Sequence, residues 1–197
     1  MKKLFIVLAI TAGVFASNQS KSQAVEQGKM LIDVYYGFPN LWTSVLKSAY
    51  ADSPTAAGIK IGTLGPIGGR FEYLLSDKIG LGIDVQTASS SVSWTDSTYN
   101  YKVSANRLRF CPRINVHFGS NDKLDFYGAF GIGYKTSNLK FTSNDPGFNE
   151  ASGSISLTPI TWRMAIGIRY FFTDNIGAGL EMGFGGVLAT AGLAVKF

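Results

Sequence analysis

The sequence predicts an all-β protein: an eight-stranded, antiparallel, up-and-down transmembrane β-barrel with short turns at one end and longer loops at the other. Three observations carry this reading. Apolar side chains alternate with glycine and charge along most of the chain. Tight connections alternate with long ones. Beyond the first residues no apolar run is long enough for a membrane-crossing helix. At 46% hydrophobic and 16% charged, the 197 residues are apolar and charge-poor for a soluble domain.

The pattern is clearest from Ile160 to Gly185. On one face lie Ile160, Trp162, Met164, Ile166, Ile168, Tyr170 and Phe172, then Ile176, Ala178, Leu180, Met182 and Phe184. The other face carries Thr161, Arg163, Gly167 and Arg169, then Gly177, Gly179, Glu181 and Gly183, and Thr173-Asp174-Asn175 turns the chain between the halves. Successive side chains of a strand point to opposite sides, so this is a hairpin with one apolar wall and one wall of glycine and charge.

The same alternation sets the remaining strands. The first, near residues 29–38, opposes Ile32, Val34, Tyr36 and Phe38 to Asp33, Tyr35 and Gly37, and a loop over 39–57 follows. The second, about 58–75, opposes Ile67, Phe71, Tyr73 and Leu75 to Gly68, Arg70 and Glu72. After Ser76-Asp77-Lys78 the third opposes Ile79, Leu81, Ile83 and Val85 to Gly80, Gly82, Asp84 and Gln86, and leads to a Ser/Thr-rich loop predicted over 87–100. The fourth, about 101–118, sets Leu108, Phe110, Ile114, Val116 and Phe118 against Arg107, Arg109, Arg113, Asn115 and His117. Pro112 removes a ladder donor there and suggests a bulge. The fifth starts at Leu124, opposes Phe126, Phe130, Ile132 and Tyr134 to Asp125, Tyr127, Gly131, Gly133 and Lys135, and ends at a loop over about 142–156. The Ile160 hairpin supplies the sixth and seventh, and the eighth ends the chain at Phe197.

Met1-Lys2-Lys3 and the apolar run Leu4–Ala16 have the charge and length of a secretory signal peptide. A leader of residues 1–24 is expected, cut after Ala24, with Ala16 the other small-residue site; residues 25–197 then form one barrel domain. Its removal takes Lys2, Lys3 and Lys21 and lowers the formal charge from +5 to +2. Binding to polyanions, nucleic acid included, thereby loses its main support. Cys111 stands alone and His117 is the one histidine, so neither a disulfide nor a soft-ligand metal site is expected, and no cofactor.

Alternation does not by itself say which face is inside, since a soluble lipocalin-like barrel buries its apolar face. Here the polar face is crowded with Gly and Ala and punctuated by Arg with Asp or Glu, which suits a cramped lumen; glycine on a water-facing strand would only weaken the sheet. The apolar face is therefore assigned to lipid. Its aromatics agree: Tyr73, Phe118, Phe126, Tyr170, Phe172 and Phe197 gather at the short-turn end and Tyr36, Phe38, Tyr134, Trp162 and Phe184 at the other. Phe126 and Tyr134 are eight residues apart, which at ~3.3 Å per residue and a ~40° tilt spans roughly 20 Å.

On these residues the chain resembles the small eight-stranded outer-membrane barrels of Gram-negative bacteria, the OmpA/OmpX type, over essentially its whole mature length. Its end, Thr190-Ala191-Gly192-Leu193-Ala194-Val195-Lys196-Phe197, is similar to the C-terminal assembly signal of that class, with Gly192, Val195 and Phe197 as its marks. The resemblance implies insertion into the outer membrane by the barrel assembly machinery, periplasmic short turns and extracellular long loops.

The inward set holds Asp33, Glu72, Asp84, Asp125 and Glu181 against Arg70, Arg107, Arg109, Arg113, Arg163 and Arg169. Buried charges require partners, and an eight-stranded lumen is just wide enough for side chains to fill. A plug is expected from Asp33, Arg70, Glu72, Asp84, Arg113, Arg169 and Glu181. Arg107, Arg109, Lys135 and Arg163 lie higher, where no strand supplies an acid; they would line an anion pocket or pair with loop acids such as Asp96, Asp145 and Glu150. Trp42, Tyr50, Trp94, Tyr99 and Phe148 in the loops are candidates for contact with an extracellular protein or small ligand. The function expected is a structural, surface-interacting barrel in contact with outer-membrane lipid. The alternative is binding or passage of a small hydrophobic or anionic solute, as similar OmpW-like barrels suggest. Catalysis on lipid A is the remote reading, because His117, the one general-base candidate, lies at the end away from the outer leaflet.

Overall fold

Strands form where the alternation predicts them, and their pairing closes a ring. The computed structural model describes residues 24–39, 59–96, 98–149, 151–154 and 159–197. Within these, β1 runs Met30–Phe38, β2 Lys60–Ser76, β3 Ile79–Asp96, β4 Tyr99–His117 and β5 Leu124–Ser143. A four-residue β6, Ala151–Ser154, precedes β7 at Ile160–Phe171, β8 at Ile176–Phe184 and β9 at Ala189–Lys196. Each main strand pairs antiparallel with its neighbours, β9 pairs with β1, and β4 pairs with β5. β6 lies only along the outer end of β5, so the closed barrel has eight staves. Among the described residues no helix is long and apolar enough to cross a membrane.

The assigned faces hold. Both aromatic girdles point outward and are exposed, as are Ile83, Val85, Leu108, Phe110, Ile114, Phe130 and Ile132 between them, while Asp33, Arg70, Glu72, Asp84, Arg113, Arg169 and Glu181 are buried inside. Two expectations are corrected. Pro112 makes no bulge: β3 and β4 pair in one register from Ile79↔Val116 to Asp96↔Tyr99, through Ile83↔Pro112. The β4–β5 ladder lapses at Cys111 and Pro112 and resumes in the same register, because a missing donor breaks a hydrogen bond without adding a residue. The register shifts fall in β2 instead, at Leu64/Ile67 and Leu74/Ser76. The loop expected over 87–100 is mostly strand, since serine and threonine serve a water-facing sheet as readily as a loop.

That extension makes the rim uneven. β2 to β5 run 17 to 20 residues, whereas β1, β8 and β9 run only eight or nine. The long strands stand above the short ones as a wall, and along them the polarity of the two faces exchanges. Above Leu108 the outward residues are Ser91, Ser93, Lys102, Ser104, Asn106, Lys140 and Thr142. The inward ones are Val92, Trp94, Tyr101, Val103, Leu139 and Phe141. With the register unbroken, the swap marks where lipid ends and water begins.

At the opposite end the chain leading into β1 closes the base. Ala24 and Val25 are fully buried with Leu31, Leu74, Phe171 and Ala194. The Ala24 N–H donates to the Asn121 carbonyl at 2.6 Å, and the Ala24 carbonyl accepts from Lys196 Nζ at 2.7 Å.

Candidate functional site

The lumen between base and wall holds two stacked groups of charge. In the lower one His117 Nδ1 lies 2.7 Å from Asp125 Oδ1 and its Nε2 lies 2.8 Å from Glu72 Oε1. The second oxygens of those acids accept from Arg169: Nη1 to Asp125 Oδ2 at 3.0 Å and Nη2 to Glu72 Oε2 at 2.9 Å. Arg169 also grips both oxygens of Asp33, at 3.2 and 2.9 Å. His117, Glu72, Arg169 and Asp125 thus form a closed ring of alternating charge-bearing partners. A planar guanidinium can serve three carboxylates this way because its five N–H groups fan out in one plane.

In the upper group four arginines share two carboxylates. Glu181 receives Arg113 Nη2 at 2.7 Å, Arg163 Nε at 2.9 Å, the Tyr127 hydroxyl at 3.1 Å and Arg70 Nη2 at 3.2 Å. Asp84 accepts from the Tyr35 hydroxyl at 2.5 Å and from Arg109 Nη2 at 3.1 Å, with Arg70 Nε at 3.6 Å and Arg113 Nη1 at 3.7 Å. Tyr127 stands between the groups, its hydroxyl on Glu181 and its ring 4.3 Å from the Arg169 guanidinium carbon. Every one of the eight staves contributes, β9 through Thr190, whose hydroxyl accepts from Arg70 Nη2 at 2.8 Å.

The expected plug residues all come together here. Arg109 and Arg163 join them, which corrects the expectation of partners among loop acids: both reach down to strand acids, Asp84 and Glu181. The Arg109 and Arg163 guanidinia also donate to the carbonyls of Gly185 and Val187 at 3.4 and 2.7 Å, so the β8–β9 turn caps the network. Arg107 and Lys135 lie half-buried above them. Of the proposed loop acids, Asp145 accepts from the Tyr101 hydroxyl, and Glu150 and the Asp96 side chain lie outside the described residues.

Sequence reasoning placed Asp125 and His117 inward without giving them to the plug, and gave Tyr35 and Tyr127 no role. The signal for the tyrosines is the residue across the ladder. Tyr35 pairs with Gly68 and Tyr127 with Gly167, and a Cβ at either glycine would collide with the facing phenol ring. An inward aromatic opposite glycine is therefore a side chain laid across the lumen.

On the wall, Trp94 stacks on Tyr101 with ring centres 5.7 Å apart, and Phe148 meets Tyr101 edge-on at 5.9 Å. Tyr99 is exposed on β4 nearby. Trp42 and Tyr50 lie outside the described residues. Among the described residues no group of three or more His, Cys, Asp or Glu is arranged to hold a metal ion.

A closed eight-stave ring, lipid-facing outside and ion-paired inside, matches the outer membrane protein beta-barrel domain family over residues 6–188. The chain belongs to that family. Family members sit in the outer membrane, and the location of this chain follows. The barrel is similar in structure to OprG of Pseudomonas aeruginosa, at 16% identity and a TM-score of 0.49, covering 90% of this chain and 99% of that one. It is likewise similar to Ail of Yersinia pestis, in complex with the heparin analogue sucrose octasulfate, at 12% identity and 0.48, covering 87% and 99%. The N-terminal barrel domain of Pseudomonas aeruginosa OprF gives 18% and 0.43, covering 88% and 100%. No curated protein matches the chain.

Proposed function

We propose that the protein is a structural, surface-presenting barrel of a Gram-negative outer membrane, held shut by its lumen and displaying the β2–β5 wall to the outside. The observation that carries this is the network itself: five buried carboxylates, each bound, tied to residues from all eight staves. Breaking such a buried pair costs ~3–5 kcal/mol, so thermal opening of a continuous water path is rare. Purified protein in planar bilayers is expected to give no defined single-channel openings. Regular openings in the wild type would overturn the reading.

One observation favours a second reading, binding of a small hydrophobic solute: the inward face of the wall presents Trp94, Val103, Leu139 and Phe141 above the plug. Quenching of Trp94 fluorescence by an apolar probe, lost in Trp94→Phe, would support it. An enzymatic reading gains nothing from His117, which is 2% exposed and bonded on both sides to acids.

A further inference from the structure

The buried charges do not cancel. Five arginines, Arg70, Arg109, Arg113, Arg163 and Arg169, face five acids, Asp33, Glu72, Asp84, Asp125 and Glu181. His117 adds to this count through geometry. Both of its ring nitrogens lie within 2.8 Å of carboxyl oxygens, and each such contact needs a proton between its two atoms. A neutral imidazole brings one N–H. The His117–Glu72–Asp125 unit therefore carries one proton more than a neutral ring and two carboxylates, whether that proton sits on the ring or on an acid. The groups facing His117 are those two acids, Arg169 beyond them, Asn115 beside it on β4 and the Tyr127 ring 5.9 Å away; none supplies a further negative charge. Five guanidinium charges and one extra proton against five acids leave the buried set at +1.

A second observation says where that charge is uncompensated. In the upper group Arg70 Nε, Arg109 Nε and Arg113 Nη1 are buried with no hydrogen-bond acceptor among the described residues. Arg70 Nε and Arg113 Nη1 stand 3.6 and 3.7 Å from Asp84 Oδ2, close enough to pair in charge but beyond hydrogen-bond reach, while Tyr35 and Tyr127 place neutral hydroxyl donors on Asp84 and Glu181. Surplus positive charge and unfilled N–H donors coincide in one layer of the barrel. A buried charge without a counter-charge is strongly disfavoured, and a buried donor without an acceptor adds to the cost.

We propose that the closed lumen holds one small monovalent anion, of halide class, bound by the free guanidinium N–H groups of Arg70, Arg109 and Arg113. Its charge neutralises the buried set, and its size is limited by a lumen filled with side chains. The site depends on the proton at His117 one layer below, although His117 does not touch the anion.

Bromide is the probe. Crystals of the refolded full barrel in sodium bromide should show one anomalous scattering peak inside the lumen against these guanidinia. Arg109→Gln and His117→Gln each remove one positive unit while leaving a hydrogen-bonding side chain, and each should lose the peak. Bromide on the surface only, an adventitious ion only, would overturn the proposal, as would an undiminished lumen peak in His117→Gln. Should neither variant fold, wild-type melting decides. At equal ionic strength the melting temperature should be about 3 °C or more higher in sodium bromide than in sodium gluconate. Equal melting temperatures would overturn the site.

Discussion

The lower and upper halves of β3, β4 and β5 are the same strands in the same register, yet they are built inside out relative to each other. Below Leu108 the outer face is apolar and the inner face carries the ion-pair network. Above it the outer face carries Ser91, Ser93, Lys102 and Asn106, and the inner face carries Val92, Trp94, Val103 and Phe141. No bulge intervenes between Ile79↔Val116 and Asp96↔Tyr99, so strand geometry did not rotate the pattern. The surroundings changed. Lipid rewards an apolar outer face, water rewards a polar one, and a sheet with two faces puts the other kind inside.

The largest test of this contrast lies in the lumen of the lower half. Glu181→Ala leaves Arg70, Arg113 and Arg163 without their shared carboxylate and should cost ~3–5 kcal/mol. Denaturant unfolding of the refolded barrel in detergent or lipid, followed by heat-modified mobility on a gel, measures it. Next is the lipid face: Ile114→Arg, near mid-height, should cost ~2–4 kcal/mol. Asn106→Arg, eight residues toward the wall on the same outward face of β4, should stay within about 0.5 kcal/mol. Equal costs in that pair would break the assignment of the boundary.

A smaller effect is expected from Tyr35→Phe, which removes the hydroxyl donor of Asp84 and should cost ~1–3 kcal/mol in the same unfolding measurement. The smallest concerns the wall. Trp94→Ala removes the stack on Tyr101, worth ~0.5–1.5 kcal/mol locally. Amide hydrogen exchange should quicken at the β3–β4 tip while the global unfolding midpoint holds. A large fall in the midpoint would mean that wall and membrane barrel unfold as one unit, and the contrast between them would be lost.

The base offers a check on the leader. Cleavage after Ala24 would remove the carbonyl that accepts from Lys196 and start the chain at the buried Val25; cleavage after Ala16 would keep the buried Ala24 and its carbonyl. The intact mass of the mature protein separates the two.

Much of the barrel is local and was legible. Period-two alternation names the strands from Ile160 to Phe184 and their outward faces because every strand expresses it residue by residue. The inward charges could be read from the same parity. The wall was hidden, since 87–100 has the composition of a loop and its alternation runs in the opposite sense. Partner choice was hidden as well. Arg169 and Asp33 are 136 residues apart, and Arg70 and Thr190 are 120 apart. Which inward side chains meet is set by how the tilted staves are staggered when β9 closes on β1, and no local pattern records that stagger. Arg113 shows the point: it stands on β4 and Glu181 on β8, strands that do not pair, and only closure of the barrel brings the two together across the lumen. The sequence alone determined a charged lumen behind a lipid-facing wall of alternating strands. The closed barrel alone decided which charges neutralise one another, because that depends on distances across the lumen rather than along the chain.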